Sequence, residues 1–153
     1  MKNLSSKQFW DLIAKPTIEE FHQTPDSFQR TALAVWALDA MVSHLCWDSE
    51  HNSGIPNEAS FKDKLVTELP SYNSIREASN SFKHAIRNPK AQTEGSNSIE
   101  IRQRGWGEAE WGVDEFDGPP IPLITFITGH SSSLKHSIKE VTNWIEAKLP
   151  IDT

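Results

Sequence analysis

The stretch PDSFQRTALAVWALDAMVSHLCW, residues 25–47, decides the fold. From Thr31 to Trp47 it holds no charged residue except Asp39. At about 100° per residue, Phe28, Ala32, Val35, Asp39, Val42 and Cys46 fall on one narrow stripe of a helix. Leu38 and Leu45 widen that stripe on one side and Trp36 on the other. Arg30, Ala37, His44 and Asp48 fall on the opposite, more polar face. Thr24-Pro25 reads as an N-cap followed by proline at the first helical position, so the helix is expected from about Pro25 to Trp47. The apolar run is slightly short for a membrane span.

Moving outward, the helical period repeats. A short helix is expected over Lys7–Ala14, ended by Pro16, with a second turn over Ile18–His22. Residues 49–57 read as a loop. A third helix, about Glu58–Leu69, presents Phe61, Leu65 and Leu69, and Pro70 ends it. A fourth, about Tyr72–Arg87, presents Tyr72, Ile75, Ser79, Phe82 and Ile86 before Asn88-Pro89. Residues 90–98 are polar and are expected to be mobile. The period then changes. Ser98–Arg104 alternates, and Ile121–Thr128 is rich in β-branched residues, so both read as strands, with a further short strand near Trp111–Val113. A last helix, about Ser132–Leu149, carries Leu134, Ile138, Val141, Ile145 and Leu149 on one stripe, with Ser131-Ser132-Ser133 as its cap. The expected fold is one mainly α domain over residues 1–153, a bundle of four to five helices with a β-hairpin inserted before the C-terminal helix.

Composition sets limits on function. The chain has 153 residues, 37% of them hydrophobic and 24% charged. A chain of that size buries roughly 68–70% of its unfolded surface and needs neither disulfide nor metal to fold. Its single cysteine, Cys46, lies in the apolar run and reads as a core residue. The N-terminal residues lack the apolar core of a signal peptide, so a cytoplasmic location is the expectation, with no membrane partner. The net charge of −6 argues against coating nucleic acid or an anionic membrane with the whole surface, and leaves room for a local basic stripe.

Four groups of residues bear on chemistry. Asp39, inside an apolar stripe, needs a charged or hydrogen-bonding partner. It reads either as a catalytic acid/base or ligand, or as half of a buried pair that fixes helix packing. Its partner is expected on the fourth helix, at Lys83, Asn80 or His84. On that helix Arg76, Asn80, Lys83, His84 and Arg87 share about 100° of arc. Such a face is suited to phosphate, with His84 as acid or base, and it reads alternatively as an ordinary solvated face. The connection between the strands holds Glu108, Glu110, Asp114, Glu115 and Asp117 among Trp106, Trp111 and Phe116. It reads as a docking surface for another protein or a weak cation site, though without calcium-loop spacing, or as aromatic packing with the acids in water. His44 and Asp48 share a helix face at i, i+4, but no metal pattern is completed by His51, His84, His130 or His136. No metal and no cofactor is expected.

Ser79-Asn80-Ser81-Phe82-Lys83-His84 resembles the signature of the HEPN superfamily of small helical-bundle proteins. Many of these are ribonucleases in toxin–antitoxin and phage-defence systems. That signature runs arginine, a polar residue, three variable residues and histidine. Asn80 and His84 match its second and last positions, and Ser79 stands where the arginine belongs, with Arg76 one turn earlier. The resemblance implies an RNA-binding or partner-binding protein of a stress or defence module, degenerate at its catalytic position. Were it to cleave RNA, it would do so without metal. His84 would be the acid/base group, and Asn80, Arg76 or Lys83 would hold phosphate. It also implies a homodimer across this motif. Over most of the chain, Phe21, Asp26–Asp39 with Trp36, Lys83-His84, Gly105-Trp106-Gly107 and Trp111-Gly112 resemble a family of small uncharacterised bacterial proteins. Two further readings are a protein-interaction module built on the Trp-rich acidic connection, and a small-molecule binder with a pocket around Asp39 and the tryptophans.

Overall fold

In the computed structural model, residues 4–48, 57–105, 107–115 and 118–150 are described. The expected loop over 49–57, with His51, lies outside them except for Asn57, as do Trp106, Phe116 and Asp117. The protein is mainly helical, with a small antiparallel sheet before the last helix.

The N-terminal helix opens at Ser5, which forms a capping box with Gln8. It does not stop before Pro16. Helix α1 (Ser6–Phe9) passes through a π-turn (Trp10–Ala14) into α2 (Lys15–Gln23). The Lys15 amide bonds to the Trp10 carbonyl, five residues back. The wider turn and a proline near the start of the next α segment remove the clash that would otherwise break the helix.

Helix α3 (Phe28–Trp47) starts three residues later than Pro25. The Ser27 amide closes a turn onto the Thr24 carbonyl, and the Ser27 hydroxyl then accepts from the Arg30 amide. Ser27 is therefore the N-cap. Val35, Leu38, Val42, Leu45 and Cys46 are buried as the periodicity requires, while Phe28 and Trp36 remain 48% and 37% exposed. The side read as polar is covered as well. Ala37 is buried, and the His44 ring stacks on Phe9 with centroids 4.1 Å apart. Helix α3 is the axis of the bundle, packed by α2, α5, α6 and, more lightly, α4.

Helix α4 (Glu58–Glu68) is capped by Asn57. Helix α5 (Ser71–Lys83) ends four residues before Arg87. Asn88 precedes proline and is pushed away from the α region. The chain turns back at His84. The Arg87 amide bonds to the Glu94 carbonyl and the Ser96 amide to the His84 carbonyl. Gly95, at φ +143°, permits this closure. A β-carbon there would lie 2.4 Å from the Ala85 carbonyl oxygen. Residues 90–98, expected to be polar and mobile, include buried Thr93 and a 3₁₀ turn at Ser96–Ser98.

Strands β1 (Ile99–Arg102), β2 (Ile121–Thr125) and β3 (Ser131–Ser133) form an antiparallel sheet in that order. Ile99 pairs with Ile124, and Leu123 with Ser133. The third strand is not at Trp111–Val113, which forms a turn, but at the serines expected only to cap the last helix. Ser133 does both, since its hydroxyl accepts from the His136 amide at the start of α6 (Leu134–Lys148). The stripe Leu134, Ile138, Val141, Ile145 and Leu149 is buried. No helix among the described residues is long and apolar enough to cross a membrane.

Candidate functional site

The basic face expected on the fourth helix does not assemble as one surface, because α5 ends at Lys83. Arg76 reaches across to Asp63 of α4 at 2.7 Å. Burial opposes its charge, but the Asp63 hydrogen bond and charge outweigh it, so the guanidinium is held more firmly protonated than usual. Arg87 folds under the helix to buried Glu77 and to Thr93, whose hydroxyl is 2.7 Å away. It holds the returning chain and is unavailable to a ligand. Lys83 and His84 are exposed and Asn80 is half-buried. Ser79 is 1% exposed, and its carbonyl accepts from the Trp36 indole at 3.3 Å. An arginine there would have to enter the α3–α5 interface.

What α5 brings together with α3 is aromatic. The Phe82 ring makes edge contacts with Phe28 and Trp36, at centroid separations of 6.3 and 6.2 Å. Phe28 and Trp36 keep part of their surface in water, and Lys83 follows Phe82 directly.

Asp39 is met from two helices, but not by Lys83, Asn80 or His84. Its Oδ1 accepts from the Lys62 ammonium of α4 at 3.0 Å and from the Tyr72 hydroxyl of α5 at 2.7 Å. Burial, then the neighbouring Asp39 charge, pushes the Tyr72 phenol far up, so it stays a donor. Lys62 also lies 3.2 Å from Glu58. Hydrogen bonds hold the Glu58 carboxyl below its ordinary range. Ser43 contributes most and burial works against it, with Trp47 and Lys62 assisting. Donors and acceptors are matched, as suits a packing device. Burial raises the Cys46 thiol, as for a core cysteine.

The acidic connection is tied down at two points. Arg102 pairs with Glu108 at 2.6 Å, and the buried Arg104 side chain pairs with Asp114 at 2.7 Å and donates to the Ser131 carbonyl at 2.8 Å. Trp111 is fully exposed on the turn between them. Expected aromatic packing at this tryptophan is therefore absent.

A further opening lies elsewhere. A groove of about 530 Å³ runs between the first turns of α5 and α6, the β2–β3 turn and residues 90–92. Phe126, Ile127 and Pro70 supply apolar wall. His136 Nε2 lies 2.8 Å from Glu140, whose other oxygen accepts from the Ser71 hydroxyl at 3.0 Å. The His130 ring lies 6.3 Å from Phe126, nearly parallel to it, with Nε2 3.3 Å from the Ser132 hydroxyl. The sequence reading missed this site. Its residues come from four segments, and its only local signal was the Gly129–Ser133 run. Among the described residues no group of three or more metal-ligating side chains is gathered. Comparison with protein-family models, curated proteins and solved structures finds no match for this chain.

Proposed function

We propose that the protein binds single-stranded RNA on the surface shared by α3 and the C-terminal end of α5, without cleaving it. The observation that carries this reading is the contiguity of Phe28, Trp36 and Phe82 with Asn80, Lys83 and His84. Exposed rings stack bases at about 1–3 kcal/mol each, and an adjacent cation holds the backbone. The small cation count and the net charge of −6 call for a short footprint and salt-sensitive, modest affinity. Binding without cleavage fits the buried serine at the arginine position of the motif. A homodimer and a cytoplasmic stress or defence setting belong to the same proposal.

Fluorescence anisotropy with a labelled single-stranded oligoribonucleotide tests it. Trp36→Ala should weaken binding tenfold or more. Lys83→Ala should lower the salt slope by about 0.7, one single-strand phosphate contact. His84→Ala, followed by gel, checks for cleavage. Salt-insensitive absence of binding by the wild type ends the reading. Light scattering shows whether a second copy covers the aromatic surface instead.

A second reading has one observation in its favour. Trp111 stands fully exposed on a turn anchored by the Arg104–Asp114 pair, an arrangement that presents an aromatic anchor to another protein. Pull-down by the wild type, by Trp111→Ala and by a chain lacking residues 105–118 tests it. An unchanged partner set ends it.

A further inference from the structure

Two serines in the groove have unused hydrogen-bonding capacity. Ser74 of α5 and Ser137 of α6 are 6% and 4% exposed, and both line the groove. Neither hydroxyl has a hydrogen-bond partner among the described residues. Neither is among the enclosed polar atoms that lack a partner, so each hydroxyl opens on the groove, where a bound molecule can meet it. Lys90, also on the lining, makes no ion pair among the described residues.

The acids nearby are already engaged. Glu140 is held by His136 and Ser71, and Glu110 lies 3.6 Å from Arg104. The groups left free on this wall are therefore Lys90 and the hydroxyls of Ser74 and Ser137, because His136 is engaged by Glu140 and His130 by Ser132. The first turns of α5 and α6 carry no acidic residue, and α5 has no side-chain cap. At α5 the Glu140 carboxylate on Ser71 faces the positive end of the helix dipole, whereas the first turn of α6 carries no acid of its own.

We propose that the groove binds a small organic anion, its phosphate or carboxylate group taken by Lys90, Ser74 and Ser137, and its body resting on Phe126, Ile127 and Pro70. Each element supplies a different part: α5 and α6 the hydroxyls, residues 90–92 the cation, the β2–β3 turn the apolar floor. The site is separate from the α3/α5 aromatic surface, so the two proposals stand or fall independently.

Amide NMR titrations of the full chain with inorganic phosphate, and in parallel with acetate, at constant ionic strength supply the test. Saturable shifts confined to residues 70–74, 90–92 and 130–137 are expected with at least one of them, and the tighter anion identifies the source of the charge. Lys90→Gln, at an exposed position, should weaken binding at least fivefold with an unchanged melting temperature. Ser137→Ala should weaken it similarly, and Trp36→Ala not at all. Linear, unsaturable shifts at basic residues all over the surface overturn the proposal, as does saturable binding indifferent to Lys90→Gln.

Discussion

The Asp39 centre and the α5–α6 groove are built from the same chemistry and reach opposite states. Each gathers carboxylate, cation and hydroxyl groups from several segments. At Asp39 the donors and acceptors are matched by Lys62, Tyr72, Glu58 and Ser43. In the groove the acids are satisfied but the donors are not, and about 530 Å³ stays open. A polar cluster that closes on itself stabilises a fold, whereas one with spare donors is arranged for something not part of the chain.

The contrast breaks most sharply at Asp39. Asp39→Ala leaves the buried Tyr72 hydroxyl without its acceptor and the half-buried Lys62 with Glu58 alone, and should cost about 3 kcal/mol in urea unfolding. Asp39→Ala combined with Lys62→Met should recover part of that loss, and a simply additive result would deny the coupling. On the groove side the most sensitive point is Gly95. Gly95→Ala forces a β-carbon onto the Ala85 carbonyl in a conformation side chains avoid, and should cost about 1–3 kcal/mol. Its amide shifts should spread through residues 84–98 and spare those around Asp39.

Acid separates the two regions further. The Glu58 carboxyl is depressed, chiefly by the Ser43 hydrogen bond. Its contribution is present above the ordinary glutamate value of about 4.3 and is lost as pH falls through the depressed one. The gap in melting temperature between wild type and Glu58→Gln should narrow as pH drops through that window. A constant gap contradicts the assignment. The smallest effect is expected from Ser137→Ala, which removes a hydroxyl that holds nothing. Stability should change by less than about 0.5 kcal/mol, while anion binding falls. Removing polar groups thus costs stability at one centre and function at the other.

The bundle was legible in the sequence because its apolar stripes are long. The Leu134–Leu149 periodicity and the strands at 99 and 121 needed no tertiary information. What escaped has physical causes. The end of α5 is set by the Arg87–Glu77 pair and by the close approach at Gly95, both contacts with chain further on. Asp39 signalled its need for a partner, but helical arithmetic could not choose between Tyr72 and Lys83 on one helix, nor foresee Lys62 from another. The basic face was counted on a helix four residues too long. The groove was illegible because Lys90, Ser74 and Ser137 are unremarkable singly and meet only in three dimensions.

The π-turn at Trp10–Ala14 has a consequence for how the N-terminal segment varies. One additional residue in a turn shifts the phase of everything before it by about 100°. Phe9 belongs to the same buried core as Ala14 and Ile18, and its ring sits on His44. The segment therefore counts in two frames, one before residue 10 and one after residue 14. Deleting any single residue between them would merge the frames into an uninterrupted α-helix and swing Phe9 off His44, a larger disturbance than most substitutions there. Relatives of this chain are best aligned with a one-residue gap permitted at that turn.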